Sequence, residues 1–147
     1  MFSSSSLSLL KNTKRHNIKS RRAVRGFNMT RARIVQEEIK EKETSFLSTY
    51  VETRNGSLIL LSEGEELFGT LAVAIPQAQE MIGPPLSSIL LGERNTLLAR
   101  LLAERLAAKT RKIALVSVNI KTVEEREAGQ ILMKLTDKIL AKEEPKK

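Results

Sequence analysis

Apolar and polar positions in the region from residue 46 to residue 62 follow a β-hairpin pattern. Residues 46–53 are rich in β-branched and aromatic side chains, and residues 57–62 form a second apolar run. Between them stand Asn55 and Gly56, which both accept the positive φ angles of a type I′ turn. The pattern therefore predicts two antiparallel strands joined at this turn.

Three later segments also read as strands. Residues 69–75 are a continuous apolar run, which is typical of a strand covered on both faces. Residues 112–119 are again nearly all apolar at their centre. Residues 86–91 form a shorter apolar segment that follows Pro84 and Pro85. Because Pro is tolerated at sheet edges and not in sheet centres, this third segment is predicted to form an edge.

The periodicity of residues 96–109 predicts a helix, with Asn95 or Thr96 as its cap. Arg100 and Glu104 have the i, i+4 spacing of an ion pair on its polar face. The apolar stripe of this helix consists of Leu98, Leu101, Leu102 and Leu106. Further leucines lie beside the stripe, so some apolar surface is left for a partner or a second copy of the chain.

A second helix is predicted to begin at Thr122 and to end near residue 141. Thr122 and Glu125 have the spacing of a capping box, in which each side chain satisfies a free backbone N–H. One face of this helix is lined by Ala128, Ile131, Leu132, Leu135 and Ile139.

The order of these elements is strands, helix, strand, helix. The early hairpin excludes a purely doubly wound sheet, so the predicted class is α+β, an antiparallel sheet packed with helices in a single domain. Residues 36–147 would form this domain. The charged segment 34–43 is compatible with either a short helix or an extended lead-in.

Charge divides the chain of 147 residues into two parts. Residues 1–35 contain nine Lys or Arg and no acid, whereas the remainder holds 16 basic and 17 acidic residues. The overall net charge of +8 therefore belongs to the leader. The domain lacks the basic field that a phosphate backbone requires, so nucleic acid is not favoured as its partner.

The leader, residues 1–35, admits three interpretations. Its Ser-rich, Arg-rich and acid-free composition is typical of a mitochondrial transit peptide. It would serve equally as an extension outside the fold. Alternatively, translation begins at Met29. Its apolar stretch is too short to cross a membrane, and no membrane partner is expected.

The residue inventory disfavours an enzyme. The sequence contains no Cys and a single His, His16, which lies in the leader. Thiolate nucleophiles, Cys-ligated zinc and His-based triads are therefore excluded from the domain. Glu65 and Glu66 are adjacent acids in a polar stretch without the aromatics that usually hold a sugar. No catalytic, cofactor-binding or metal-binding residue is predicted.

A turn, the helix that follows it and the next strand carry a resemblance to a known family. Ser88, the Leu-Leu-Gly turn ending at Gly92, the helix segment Leu-Ala-Glu-Arg-Leu-Ala-Ala-Lys-Thr and the strand segment Val-Ser-Val-Asn resemble the proteasome assembly chaperone 4 family. The matching positions are Ser88, Leu90, Leu91, Gly92, Leu102, Ala103, Arg105, Leu106, Ala107, Lys109, Thr110, Val116, Ser117 and Asn119. The resemblance extends over roughly residues 44–139, and the basic leader departs from it.

The resemblance implies a non-catalytic chaperone of 20S proteasome assembly. Such a chain would pair with a second, chaperone 3-type subunit or with its own copy, bind an alpha-type proteasome subunit, promote alpha-ring assembly and leave. It implies no cofactor, and it implies the cytoplasm with the nucleus as a second compartment. A working transit peptide would lead to mitochondria instead. The alternative function is a mitochondrially targeted or nucleic-acid-associated small basic protein, which only the leader supports.

Two groups of residues are candidates for partner binding. The first is the predicted edge segment, with Leu86, Ser87, Ser88, Ile89 and Leu91. The second is the basic group Lys109, Arg111 and Lys112, which follows a helix. These cations are suited either to the negative end of the helix dipole or to an acidic partner surface.

Overall fold

The computed structural model of the protein describes residues 31–78 and 80–143. The predicted leader, residues 1–35, therefore lies mostly outside the described residues, and its last three residues belong to the first strand. The elements in chain order are β1 (Arg33–Glu41), β2 (Thr44–Glu52), β3 (Gly56–Glu63), β4 (Thr70–Ile75), β5 (Leu86–Leu91), α1 (Thr96–Thr110), β6 (Ile113–Asn119) and α2 (Glu125–Glu143).

The six strands form one sheet in the order β1-β2-β3-β6-β4-β5. Four neighbouring pairs are antiparallel, and the pair of β3 with β6 is parallel. The chain passes from β3 to β6 through β4, β5 and α1, which supplies the long crossover that parallel neighbours require. The predicted single α+β domain is confirmed, and its sheet is mixed rather than purely antiparallel.

A pair of positive φ angles occurs in the first hairpin and not in the Asn-Gly turn that was predicted for the second. The lead-in segment left open by the sequence forms β1 and then turns into β2 through Lys42 and Glu43, whose φ angles are 50° and 73°. This is the pair of positive φ angles that a type I′ turn requires. The β2–β3 hairpin is confirmed, but neither Asn55 nor Gly56 has a positive φ. The Thr53 N–H donates to the Gly56 carbonyl at 2.8 Å and closes that turn.

Both helices pack on the same face of the sheet, α1 on β4, β5 and β6, and α2 on β1 and β2. All five residues predicted for the apolar face of α2 are buried. The α1 stripe is buried at Leu98, Leu102 and Leu106, but Leu101 is exposed, as is Leu97. The sheet contributes aliphatic and aromatic side chains to this core, namely Phe46, Tyr50, Ile59, Leu61, Ala72, Ala74, Ala114, Val116 and Val118.

The predicted capping box of α2 is wrong. The helix begins at Glu125, and its carboxylate accepts the backbone N–H of Leu98, in the first turn of α1, at 3.3 Å. The Thr122 hydroxyl donates to the carboxylate of Glu63 on β3. Asn95 takes the N-cap position of α1 without a side-chain cap bond. At the start of α1, a side chain that is distant in the sequence thus accepts a backbone N–H that a local cap would otherwise bind.

Candidate functional site

The predicted edge residues lie in β5, which hydrogen-bonds only to β4 among the described strands and forms one border of the sheet. The strand contains no charged residue, whereas β1 at the opposite border carries several. Natural edge strands are usually protected by charge, a bulge or Pro. In β5 the pairing with β4 shifts at a bulge near Leu90, and Leu86 is 68% exposed. The predicted edge therefore exists and presents apolar side chains.

The inward side chains of β5 attach it to α1. The Ser87 hydroxyl donates to the Glu104 carboxylate, and it accepts a hydrogen bond from Arg100 Nε at 3.0 Å. The predicted Arg100–Glu104 pair is therefore bridged by Ser87 rather than formed directly. Ile89 is half-buried and packs against the core. Ser87 and Ile89 are thus positioned for packing within the domain.

The basic candidates lie at another place, where β6 begins. Lys112 Nζ donates to the Glu52 carboxylate at 2.6 Å and to the Thr53 carbonyl at 3.0 Å, which ties it to the end of β2. Arg111 adopts a left-handed conformation at the C-cap of α1, and Lys109 lies in its last turn. The structure therefore separates the two candidate groups, because β4 runs between β5 and β6.

The sheet face opposite the helices is a surface that sequence reasoning missed, and we call it the open face. No described helix packs on it. Its side chains alternate along each strand with the buried core residues. Its apolar members are Ile34, Leu47, Val51, Leu58, Leu60, Leu71, Val73, Ile75, Leu86, Leu91, Ile113 and Leu115.

One row of the open face crosses all six strands. Cα pairing aligns Ile34 with Val51, Val51 with Leu58, and Leu58 with Leu115. The same row continues from Leu115 to Val73 and ends on β5 at Ser88, one of the predicted partner residues. A continuous apolar row of this kind is the usual inner surface of a sheet that packs on another layer.

The loop between β3 and β4 lies against one end of the open face. The Gly69 N–H donates to the Ser117 hydroxyl at 2.9 Å, and the Asn119 side chain donates to the Phe68 carbonyl at 3.0 Å. Ser117 and Asn119 are both open-face positions of β6. The side chain of Phe68 is 68% exposed. The loop thus extends the open face with the one exposed aromatic side chain among the described residues.

A sequence signal for the open face does exist. The continuous apolar run of residues 69–75 predicts a strand covered on both faces. In the structure Ala72 and Ala74 are buried under α1, whereas Leu71 and Val73 are only half-buried and Ile75 is exposed. The chain therefore covers one face of β4, and the residue pattern fits a strand whose second face is covered as well.

Glu63 is the last residue of β3 and is buried. Its carboxylate accepts the backbone N–H groups of Lys121 at 2.7 Å and Thr122 at 3.0 Å, in addition to the Thr122 hydroxyl. Burial raises the pKa of Glu63, but these hydrogen bonds outweigh it and hold the pKa below its ordinary value. The ionised side chain joins β3 to the connection between β6 and α2.

The adjacent acids Glu65 and Glu66 have different surroundings in the structure. Glu65 is exposed, and the carboxylate of Glu66 accepts hydrogen bonds from Gln36 and Thr49, each at 3.4 Å. No group of His, Cys, Asp or Glu in the described ranges is arranged to hold a metal ion. Neither described helix is long and apolar enough to cross a membrane.

Comparisons with known proteins agree with this architecture. The family model described as proteasome assembly chaperone 4 matches residues 45–120. Among solved structures, the chain is similar to one from the crystal structure of a novel chaperone complex for yeast 20S proteasome assembly, with a TM-score of 0.57 and 11% sequence identity. The alignment covers 75% of this chain and 93% of that chain. No curated protein sequence matches this chain.

Proposed function

Because the chain belongs to the proteasome assembly chaperone 4 family, we propose that it is a non-catalytic subunit of a chaperone that promotes alpha-ring assembly of the 20S proteasome. In this role it pairs with a second, chaperone 3-type subunit. The pair binds an alpha-type proteasome subunit and leaves when the ring is complete. The observation that carries the proposal is the open face.

The open face supports pairing through a second sheet. Two packed sheets lie about 10 Å apart, and their inner side chains interdigitate. Leu58 and Leu115 lie near the middle of the apolar row, with strands on both sides of them. Loss of water from this row would supply the favourable free energy of association. The continuous apolar runs of β4 and β6 would then be covered on both faces.

A related but different subunit is the occupant that we propose for the open face. The family implies a chaperone 3-type partner, and the similar yeast chain comes from a structure described as a chaperone complex. A second copy of this chain presents the same row and is the competing occupant.

A proteasome chaperone acts in the cytoplasm and the nucleus, which is the location that we propose. Fluorescence microscopy of the tagged full chain tests it, and a mitochondrial signal would contradict it.

Mixing experiments decide the partner. The chain and the chaperone 3-type protein of the same organism would be purified separately, mixed and measured by size-exclusion chromatography with light scattering. We expect a one-to-one heterodimer at micromolar concentration. A chain that stays a dimer of itself in the mixture would support the homodimer. A chain that stays a monomer alone and in the mixture would contradict pairing through the open face.

A further inference from the structure

Basic side chains collect at one end of the domain, where β1 begins, β2 turns into β3, and α1 leads into β6. Arg33 lies 3.6 Å from the Glu52 carboxylate, and Lys112 contacts the same carboxylate. Gly56 and Ile113, the first residues of β3 and β6, are Cα partners. These contacts bring three segments of the chain together: residues 33, 52–56 and 109–113. We call this region the basic end.

The basic end has a charge that the rest of the domain does not share. Its three segments contain five basic residues and one acid, a formal net charge of +4. From residue 36 onward the chain carries 16 basic and 17 acidic residues, and outside the basic end these are 12 basic and 16 acidic. Positive charge is therefore concentrated at this end, and the remaining surface is acidic on balance. Such asymmetry steers oppositely charged partners toward one site.

Three of these cations have no acidic partner among the described residues. Glu52 holds Lys112 and contacts Arg33. No described carboxylate lies within ion-pair distance of Arg54, Lys109 or Arg111. Lys112 therefore stabilises the fold through Glu52, whereas the charges of Arg54, Lys109 and Arg111 are available to a partner.

The backbone at Arg111 supports a role beyond the fold. Its φ is 61°, in the left-handed region that follows many helices and that Gly usually occupies. Any side chain there reduces stability relative to Gly. Its N–H donates to the Ala107 carbonyl at 2.8 Å, which a Gly would also do. The helix ending thus requires the left-handed backbone but does not require an arginine.

We propose that the basic end binds an acidic segment of a protein partner, through Arg54, Lys109 and Arg111. If the proposed function is correct, that partner is the proteasome subunit being assembled, so the inference in this form depends on that function. Packing on the open face would leave the strand ends uncovered, and the basic end would remain accessible in the pair.

A protein partner fits this surface better than a nucleic acid does. Single-stranded nucleic acid is held by aromatic side chains next to the cations. Phe46 and Tyr50 are buried, and Phe68 is bonded near the C-terminal end of β6, whereas the basic end lies at its N-terminal end. The cations are also few, and duplex binding usually engages a longer stripe.

The test compares two charge-reversed variants of the full chain. The first carries Arg54→Glu and Arg111→Glu. The matched control carries Arg126→Glu and Lys134→Glu, which make the same charge change at exposed positions of α2. Because both variants keep the basic leader, its contribution is common to them. The probe is a fluorescein-labelled octaglutamate peptide, followed by anisotropy at about 50 mM and about 300 mM salt.

We expect the first variant to bind the peptide about tenfold more weakly at low salt, and the control less than about twofold. Equal weakening in both variants, or in neither, would overturn the proposal. A labelled thymidine octamer is measured in parallel. If wild type binds the oligonucleotide more tightly than the peptide, and the first variant loses that binding, the protein partner is overturned in favour of a nucleic acid.

Arg111→Gly separates binding from folding. We expect a higher Tm, because the left-handed strain is relieved, together with weaker peptide binding. Unchanged binding would exclude Arg111 from the surface. Heterodimer formation by light scattering is measured on the same proteins and is expected to persist. If wild type never forms the dimer, the proposed function fails, while the peptide comparison still decides the role of the basic end.

Discussion

A Cβ atom at position 92 would lie 2.6 Å from the Cα atom of Thr70, so only glycine fits there. Gly92 also has a φ of 100°, which L side chains rarely adopt. The contact brings the end of β5 onto the start of β4, where the Thr70 hydroxyl donates to the Arg94 carbonyl at 2.5 Å. The glycine of the Leu-Leu-Gly turn thus positions α1 on the sheet.

Replacing this glycine should destabilise the domain strongly. We expect Gly92→Ala to lower the free energy of unfolding by about 3 kcal/mol or more, from left-handed strain plus a backbone clash. Gly64→Ala is the matched control, because Gly64 has a φ of 86° and a methyl group added there would meet nothing within 4 Å. It should lose only about 1–2 kcal/mol. Urea unfolding measures both, and equal losses would show that Thr70 imposes no steric limit.

Glu63 should make stability depend on pH. Its pKa is lowered in the folded protein, so its contribution is present above the ordinary value of 4.5 and is lost as the pH falls through the folded value. We expect Glu63→Gln to lower the free energy of unfolding at pH 7 by about 1–3 kcal/mol. The difference from wild type should shrink below about pH 4.5.

Unfolding titrations across this pH range measure the difference, with Glu65→Gln as a control for the loss of one acidic charge. A difference between wild type and Glu63→Gln that stays constant down to low pH would contradict the role given to the hydrogen bonds from Lys121 and Thr122.

Substitutions in the β1–β2 turn should stabilise the protein. Lys42 and Glu43 both have positive φ angles, which Asn and Gly adopt at lower cost. We expect Lys42→Asn with Glu43→Gly to raise the free energy of unfolding by about 1 kcal/mol. The exposed ion pair of Lys42 with Glu127, at 3.6 Å, offsets little of this gain.

The natural Asn-Gly pair of the other hairpin is the control for the turn. Asn55 has no positive φ, so Asn55→Lys should change stability by at most about 0.5 kcal/mol. Thermal unfolding compares the variants. A loss of stability in the Lys42→Asn, Glu43→Gly variant would show that the turn is held by side-chain contacts rather than limited by its backbone.

Local patterns predict most elements, and tertiary contacts explain the failures. Both helices, the hairpin and the edge strand follow from periodicity and turn residues. The capping-box prediction failed because the Glu125 carboxylate accepts a hydrogen bond from Leu98 of α1 and the Thr122 hydroxyl donates to Glu63. Sequence spacing does not encode these contacts. The parallel neighbour of β3 was missed because strand order in a sheet is not a local property.

The candidate site could be predicted only in part. The composition of β5 and the prolines that precede it predict its position at the edge of the sheet. The open face was missed because each strand contributes only a few of its residues, and only the register joins Leu58 to Leu115 and Val73. The continuous apolar run of residues 69–75 indicates a strand covered on both faces. It does not tell whether the second face is covered by the same chain or by a partner, because both cases produce the same pattern.

Pairing should be abolished by a charge on the open face. We expect Leu58→Glu to weaken heterodimer formation at least about 100-fold, because a carboxylate would be buried between two sheets. The monomer should stay folded, since Leu58 is not part of the buried core. Leu101→Glu, on the exposed side of α1, is the control and should pair normally. Light scattering of the mixed subunits measures the change.

The same measurement tests the edge as an alternative interface. Leu86→Glu is informative there, because Leu86 is largely exposed, whereas a charge at Ile89 would also disturb the core. Loss of pairing in Leu86→Glu with normal pairing in Leu58→Glu would assign the interface to the border of the sheet. Unchanged pairing in both would exclude both surfaces.

Affinity purification from native cells tests the central claim most directly. The tagged full chain and its Leu58→Glu variant would be isolated in parallel, and the accompanying proteins identified by mass spectrometry. We expect wild type to recover alpha-type proteasome subunits and a second small chaperone without mature 20S beta subunits, and the variant to lose the second chaperone. Wild-type material that contains neither proteasome subunits nor a second chaperone would contradict the assembly role.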